Sequence, residues 1–223
     1  MAPCTPAAPL PPPTLLLTGF DPFGGDTANP SLQIAQALQG QRIAGLQVQA
    51  QTLPTVFATA LPVLEQALAR WQPRLVVCLG QAGGRAAIGL ERVGINLQDA
   101  RIPDNVGAQP IDTPVVPGGP AAYFATLPVK AMRQAVLRAG VPCELSYTAG
   151  SFVCNHVLYG LLHHVAQQAP AARPRAGFIH VPWLPGQGEP CLPLATMVRG
   201  VYEALWAAAL QPHDLAVAGG TLH

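Results

Sequence analysis

A chain of 223 residues, half of them hydrophobic, suits one large domain or two small ones and can bury a sizeable core. Only a tenth of the residues are charged, well below the usual quarter, and the formal net charge is +1. That balance gives no electrostatic footprint for nucleic acid or an anionic membrane, so small or neutral partners are expected. No run of about 18 apolar residues is present to span a membrane.

The first thirteen residues, MAPCTPAAPLPPP, lack both a basic region and an unbroken apolar stretch, so they are not a signal peptide. Their prolines predict an extended, flexible leader over 1–13, with a single domain over 14–223. TLLLTGF (14–20) is a short apolar run closed by glycine and reads as a buried strand. PSLQIAQALQG (30–40) has a proline start, helical spacing and a glycine stop. GLQVQAQTLP (45–54) alternates as a strand does, 55–71 reads as a helix despite Pro62, and RLVVCLGQ (74–81) is another buried strand. From Ala82 to Pro120, glycine and proline predict loops or a small excursion, with a strand-like piece in 91–100. Helix is expected again over 121–140, a strand over 143–148, a helix over 151–168, a strand over 176–184 and a last helix over 192–210. This alternation predicts an α/β fold, a mostly parallel sheet with helices on both faces. No internal repeat or linker divides the chain.

The single lysine against eleven arginines, with abundant alanine and proline, is a bias associated with GC-rich bacterial genomes. Five cysteines at irregular spacing do not form a disulfide framework, and no CxxC or HxxxH metal spacing occurs. A reducing cytoplasm fits such a chain best.

Cys154, in SYTAGSFVCNHVLYG (146–160), follows a helix start near Ser151. Free backbone N–H groups there favour a thiolate, which would lower its pKa and make it a nucleophile. The same cysteine also reads as a small core residue. Cys78 in LVVCLG reads as core, Cys143 and Cys191 show no partner pattern, and Cys4 lies in the leader. A cysteine nucleophile needs a histidine base held by a third polar group. His213 and His223 lie in the tail, and His163 and His164 suit a solvated face or the end of a helix. His156 is two residues from Cys154, where helical side chains do not face each other. His180 stands at the carboxyl end of a buried strand, where sites assemble in open α/β sheets, although a core histidine is equally compatible with that position. Asp21, Glu91, Asp99 and Asp104 lie in or beside glycine-rich segments, and position does not choose among them. GQAGGR (80–85) fits neither GxGxxG nor a Walker motif and reads as tight turns for a substrate loop.

Four segments together, LLLTGFDPFGGDTANPS (15–31), GQAGGRAAIGLERVGINLQDARIPDN (80–105), SYTAGSFVCNHVLYGLLH (146–163) and GFIHVPWLP (177–185), resemble the type I pyroglutamyl peptidases, a family of cysteine peptidases. LPTVF (53–57) and GGPAAYFATLPVK (118–130) extend the match. The resemblance implies a single-domain α/β/α sandwich and removal of N-terminal pyroglutamate from peptides, without metal or cofactor. It implies a triad of Cys154 in FVCNH, His180 in GFIH and Glu91 in ERV, leaving His156 structural. It further places Phe20, Phe23 and Val153 against the lactam ring. Asn29 and Gln81 are candidate polar partners for the loop or the lactam, and Arg85, after the QAGG turn, is a candidate for shaping the oxyanion pocket. Bacterial members often form tetramers. Leu90 stands where proline commonly precedes the triad acid, which removes a backbone constraint beside Glu91. A different cysteine-nucleophile hydrolase of this layout, or an inactive binding homologue, are the alternatives.

Overall fold

A computed structural model describes residues 12–220; the leader through residue 11, with Cys4, and residues 221–223, with His223, lie outside the described residues. A seven-stranded sheet runs in the order β2 (Arg42–Ile43), β3 (Leu46–Leu53), β1 (Thr14–Phe20), β4 (Leu75–Gln81), β9 (Arg175–Val181), β5 (Ile88–Glu91), β8 (Cys143–Ser146). β3, β1, β4 and β9 are mutually parallel. β5 pairs antiparallel to β9 and parallel to β8, and β2 closes an antiparallel edge hairpin on β3. Ala44 and Gly45 turn that hairpin with φ of 47° and 86°, the positive values a tight two-residue turn requires.

β1, β4 and β9 are buried along nearly their whole length because both faces are covered. Successive side chains alternate in direction. Leu15, Leu17, Val77, Leu79 and Ile179 therefore pack on one face with α1 (Pro30–Leu38), α3 (Val129–Arg138) and α5 (Leu194–Leu210). Leu16, Val76, Cys78, Ala176 and Phe178 pack on the other with α2 (Phe57–Trp71) and α4 (Val153–Gln167). Burying each such leucine stabilises the fold by about 2 kcal/mol. α1 passes so close to β1 that a Cβ on Gly19 would lie 2.5 Å from the Ser31 carbonyl oxygen.

Two stretches differ from the sequence expectation. Within the segment expected to be loops, Ile88–Glu91 is a strand of the main sheet, fully buried between β9 and β8. It is four residues long, holds a glycine and ends on a carboxylate, so periodicity does not mark it. Over 121–140 the helix begins only at Val129. Ala122–Phe124 is instead β7, paired antiparallel with β6 (Val93–Ile95). Pro128 excludes Leu127 from the helical region, and the aromatic pair Tyr123–Phe124 takes the strand that β6 offers. Leu90 pairs with both Ile179 and Leu145, so sheet pairing supplies the rigidity that a proline would have given.

Candidate active site

The carboxyl end of β9 carries His180, which is in register with Gly80 on β4 and Gly89 on β5. Paired residues of neighbouring strands project to the same face, here the face covered by α4. The two glycines leave that face open on both sides of the imidazole. A Cβ on Gly80 would lie 2.9 Å from Cys154 Sγ, and one on Gly89 would lie 2.5 Å from Arg85 Nη1. The thiol is thus lowered onto the residue next to His180, and the guanidinium occupies the other side.

Glu91 ends β5 and is completely buried. Its Oε1 lies 2.8 Å from His180 Nδ1 and accepts a hydrogen bond from Arg85 Nη1 at 3.0 Å, while Oε2 is buried without a partner. A carboxylate can only accept, so the proton of the neutral imidazole resides on Nδ1 and Nε2 is left as the basic nitrogen. Arg85 Nη2 donates to the Thr148 carbonyl at 3.2 Å.

Cys154 is the second residue of α4, whose N-cap residue Phe152 offers no side-chain acceptor. The first N–H groups of the helix therefore lack intrahelical partners and can receive an oxyanion. The sequence expectation of a lowered thiol pKa is overturned. Burial pushes the Cys154 thiol up to about 12, the charge of Glu91 adds to that, and Arg85 opposes it. The residue keeps part of its surface open, yet its sulfur is densely surrounded by protein, and desolvation is the largest influence on it.

Aromatic rings gather at the start of α4. Half-buried Phe23 lies 6.1 Å from Phe152, which meets Phe57 edge-on at 5.3 Å. Phe152 and Phe57 were not singled out in the sequence; the position of Phe152 inside the FVCNH motif was the available signal. Phe20 is buried under the site against Phe178, with ring centres 6.4 Å apart. Val153 is fully buried in the core below the start of α4. Asn29 is the N-cap of α1, its Oδ1 accepting from Ser31 N at 3.0 Å and its Nδ2 donating to the Asp21 carbonyl at 3.0 Å. Both ends of this amide serve the 21–29 loop. Gln81 donates to Asp26 Oδ2 at 2.9 Å, and Gln187, another residue the sequence did not mark, donates to the same carboxylate at 3.3 Å and to the Ala28 carbonyl at 3.0 Å. The loop after β9 is thereby tied to the loop that carries Phe23. A Cβ on Gly83 would lie 2.1 Å from the Trp183 ring, so the glycine-rich GQAGGR turn is a seat for that indole.

Asp104 stands apart from His180. It accepts from Phe57 N at 3.0 Å, starting α2, and from Val106 N and Ala108 N, closing its own turn. Burial pushes its carboxyl up, and the backbone N–H groups, led by Phe57, more than offset this and hold it below the usual value. His156 is buried edge-on to Phe57, neither ring nitrogen reaching a partner in full hydrogen-bond geometry; burial lowers its pKa to about 4, opposed by the nearby Phe57 backbone. His163 Nδ1 lies 3.0 Å from the Tyr123 hydroxyl. Among the described residues, no group of three His, Cys, Asp or Glu side chains is arranged to hold a metal ion, and no helix is long and apolar enough to cross a membrane.

Residues 14–211 match the family model described as pyroglutamyl peptidase. The chain is 52% identical over 214 residues to the pyrrolidone-carboxylate peptidase of Klebsiella pneumoniae (strain 342), covering 94% of this chain and 99% of that one. It is 55% identical over 192 residues to the enzyme of the same name from Gloeobacter violaceus, covering 84% and 92% respectively. Among solved structures, pyroglutamyl peptidase I from Bacillus amyloliquefaciens superposes with a TM-score of 0.89 at 42% identity, over 93% of this chain and 100% of that one.

Proposed function

The chain belongs to the pyroglutamyl peptidase family, and on that premise we propose that Cys154, His180 and Glu91 remove the N-terminal pyroglutamyl residue from peptides. The observation that carries the assignment of roles is the row Gly80–His180–Gly89, with the Cys154 sulfur against its first member and a buried Glu91 on Nδ1 of its second.

The substrate begins with a five-membered lactam and has no α-ammonium group for an acidic site to grip. A small neutral ring is best held by apolar walls with few polar contacts. Phe23 and Phe152 supply walls next to the nucleophile, and Phe20 and Val153 back them from the core. Asn29 and Gln81 act by fixing the loops that bear those walls.

Cys154 Sγ attacks the carbonyl of the bond that follows the ring, and its proton passes to His180 Nε2. The imidazolium so formed is stabilised by Glu91, which also fixes the ring's tautomer. The oxyanion meets N–H groups at the start of α4, that of Cys154 included. His180 then protonates the leaving amine, and the peptide departs shortened by one residue. Water, activated by the same histidine, hydrolyses the thioester and releases pyroglutamate. A cytoplasmic homo-oligomer, a tetramer by resemblance, completes the reading. Cys78, Cys143, Cys154 and Cys191 are all unpaired, which supports a reducing compartment, and light scattering on the purified chain reads the oligomeric state.

The test is release of a fluorogenic amine from its pyroglutamyl derivative by the wild type and by Cys154→Ala. The wild type should hydrolyse it and be inactivated by iodoacetamide but not by chelators. The variant should fold and be inert. An active Cys154→Ala protein would end the cysteine-peptidase reading.

A further inference from the structure

We propose that Arg85 is a positioning residue that joins the triad acid to the segment carrying the nucleophile, so that the Glu91–His180 pair and Cys154 stay in register. The inference rests on the triad assigned above. One guanidinium nitrogen donates to Glu91 Oε1, the same oxygen that lies 2.8 Å from His180 Nδ1. The other donates to the carbonyl of Thr148, which stands six residues before Cys154. A planar fork can span two such acceptors, one on each side, whereas an ammonium group offers a single point. The Thr148 carbonyl is held a second time by Ser146 Oγ at 3.1 Å. Nearer the nucleophile, Ser151 Oγ bonds to the Asp99 carbonyl at 2.6 Å, and Asp99 N returns a bond to the Ser151 carbonyl at 3.0 Å. The stretch from Thr148 to Ser151 is therefore pinned at both ends, and its first pin is Arg85.

Electrostatics point the same way. Glu91 is a wholly buried carboxylate, and Arg85, about a quarter exposed, is the cation bonded to it. A buried charge that loses its partner is strongly destabilising, which ties the position of one group to the other. Glu91 also opposes ionisation of the Cys154 thiol, whereas Arg85 favours it. The absence of a side chain at Gly89 is required for the arrangement, because a Cβ there would lie 2.5 Å from Arg85 Nη1. Arg85 is off the proton path, so its contribution acts through Glu91 and the Thr148–Ser151 stretch.

The experiment compares Arg85→Gln, Arg85→Lys and Gly89→Ala with the wild type. It measures steady-state kinetics on a fluorogenic pyroglutamyl amide, melting temperature, and the pH dependence of iodoacetamide alkylation followed at Cys154 by mass spectrometry. Alkylation needs no peptide substrate, so a failed peptidase reading is seen separately, as a wild type that alkylates but does not hydrolyse. Arg85→Gln should lower kcat by on the order of tenfold to a hundredfold, the range expected when reacting groups move by up to about 1 Å. Its KM should stay within about twofold, and its alkylation profile should move to higher pH. Arg85→Lys keeps the charge without the fork, and should restore the alkylation profile while recovering kcat only in part. Gly89→Ala leaves every triad group chemically intact and should lower kcat by displacing the guanidinium, and it serves if Arg85→Gln fails to fold. A folded Arg85→Gln protein whose alkylation profile overlays that of the wild type would overturn the proposal, as would a raised KM with unchanged kcat. Wild-type kcat in both Arg85→Lys and Gly89→Ala would also overturn it.

Discussion

Gly80→Ala adds one methyl group at the point where β4 passes beneath Cys154. The new carbon would lie 2.9 Å from Cys154 Sγ and 2.7 Å from Phe178 Cζ. Ordinary carbon contacts begin near 3.5 Å, so about 0.8 Å of overlap must be relieved. Phe178 is buried at the centre of the α2–α4 face and cannot swing away. The thiol must then rotate or rise away from the row that holds His180. A misplacement of about 1 Å can cost roughly a hundredfold in rate, equivalent to about 2.7 kcal/mol of transition-state stabilisation. The added volume should also cost about 1–3 kcal/mol of stability, because the strand is sealed on that face. The assay is kcat/KM on a pyroglutamyl amide at a temperature well below the variant's melting point, beside the rate of Cys154 alkylation. Folded Gly80→Ala protein with wild-type kcat/KM would refute the placement of the sulfur against β4, and with it the apposition of Cys154 and His180.

Glu91→Gln should lower kcat by on the order of tenfold to ten-thousandfold with KM less affected, the span separating a supporting from an essential triad acid. Asp104→Asn should instead lower the melting temperature, since the carboxylate starts α2 and closes its turn, at a cost of about 1 kcal/mol, with turnover retained; loss of kcat with an unchanged melt would exchange the two roles. His156→Ala, compared with His180→Ala in folded protein, should spare most of the activity, and equal losses would leave the base unassigned. For stability against pH the sign follows from His156, whose folded pKa of about 4 lies below its ordinary 6.5. The unfolded chain binds the extra proton between those values, so this contribution is fully present above about pH 6.5 and is lost as pH falls toward 4. Its size is on the order of 3 kcal/mol. His156→Leu should flatten the melting temperature between pH 7 and pH 4.5, and an unchanged slope would remove His156 as the source.

Periodicity and punctuation in the sequence were enough for the long elements. TLLLTGF and LVVCLGQ could only be strands covered on both faces, and the helix after Pro30 carries its own start and stop, so local chemistry and global packing agree there. The family motifs also brought Glu91, Cys154 and His180 forward as a set, although they are spread over ninety residues of chain. Tertiary structure alone decided how they meet. β5 is too short and too glycine-rich to announce itself, and its antiparallel entry beside β9 is what turns Glu91 inward onto His180 Nδ1. The two glycines of the row matter only because β4, β9 and β5 are neighbours, a relation between residues far apart in the chain. The same holds for the thiol: a helix start argues for an easily ionised cysteine, but the amount of protein packed around the sulfur is a property of the assembled core, and that burial pushes the thiol pKa up. Phe152, Gln187 and the fork of Arg85 escaped the sequence for one physical reason. Each acts through a partner brought near by the fold, and no local pattern records a contact that the chain makes only once it has closed on itself.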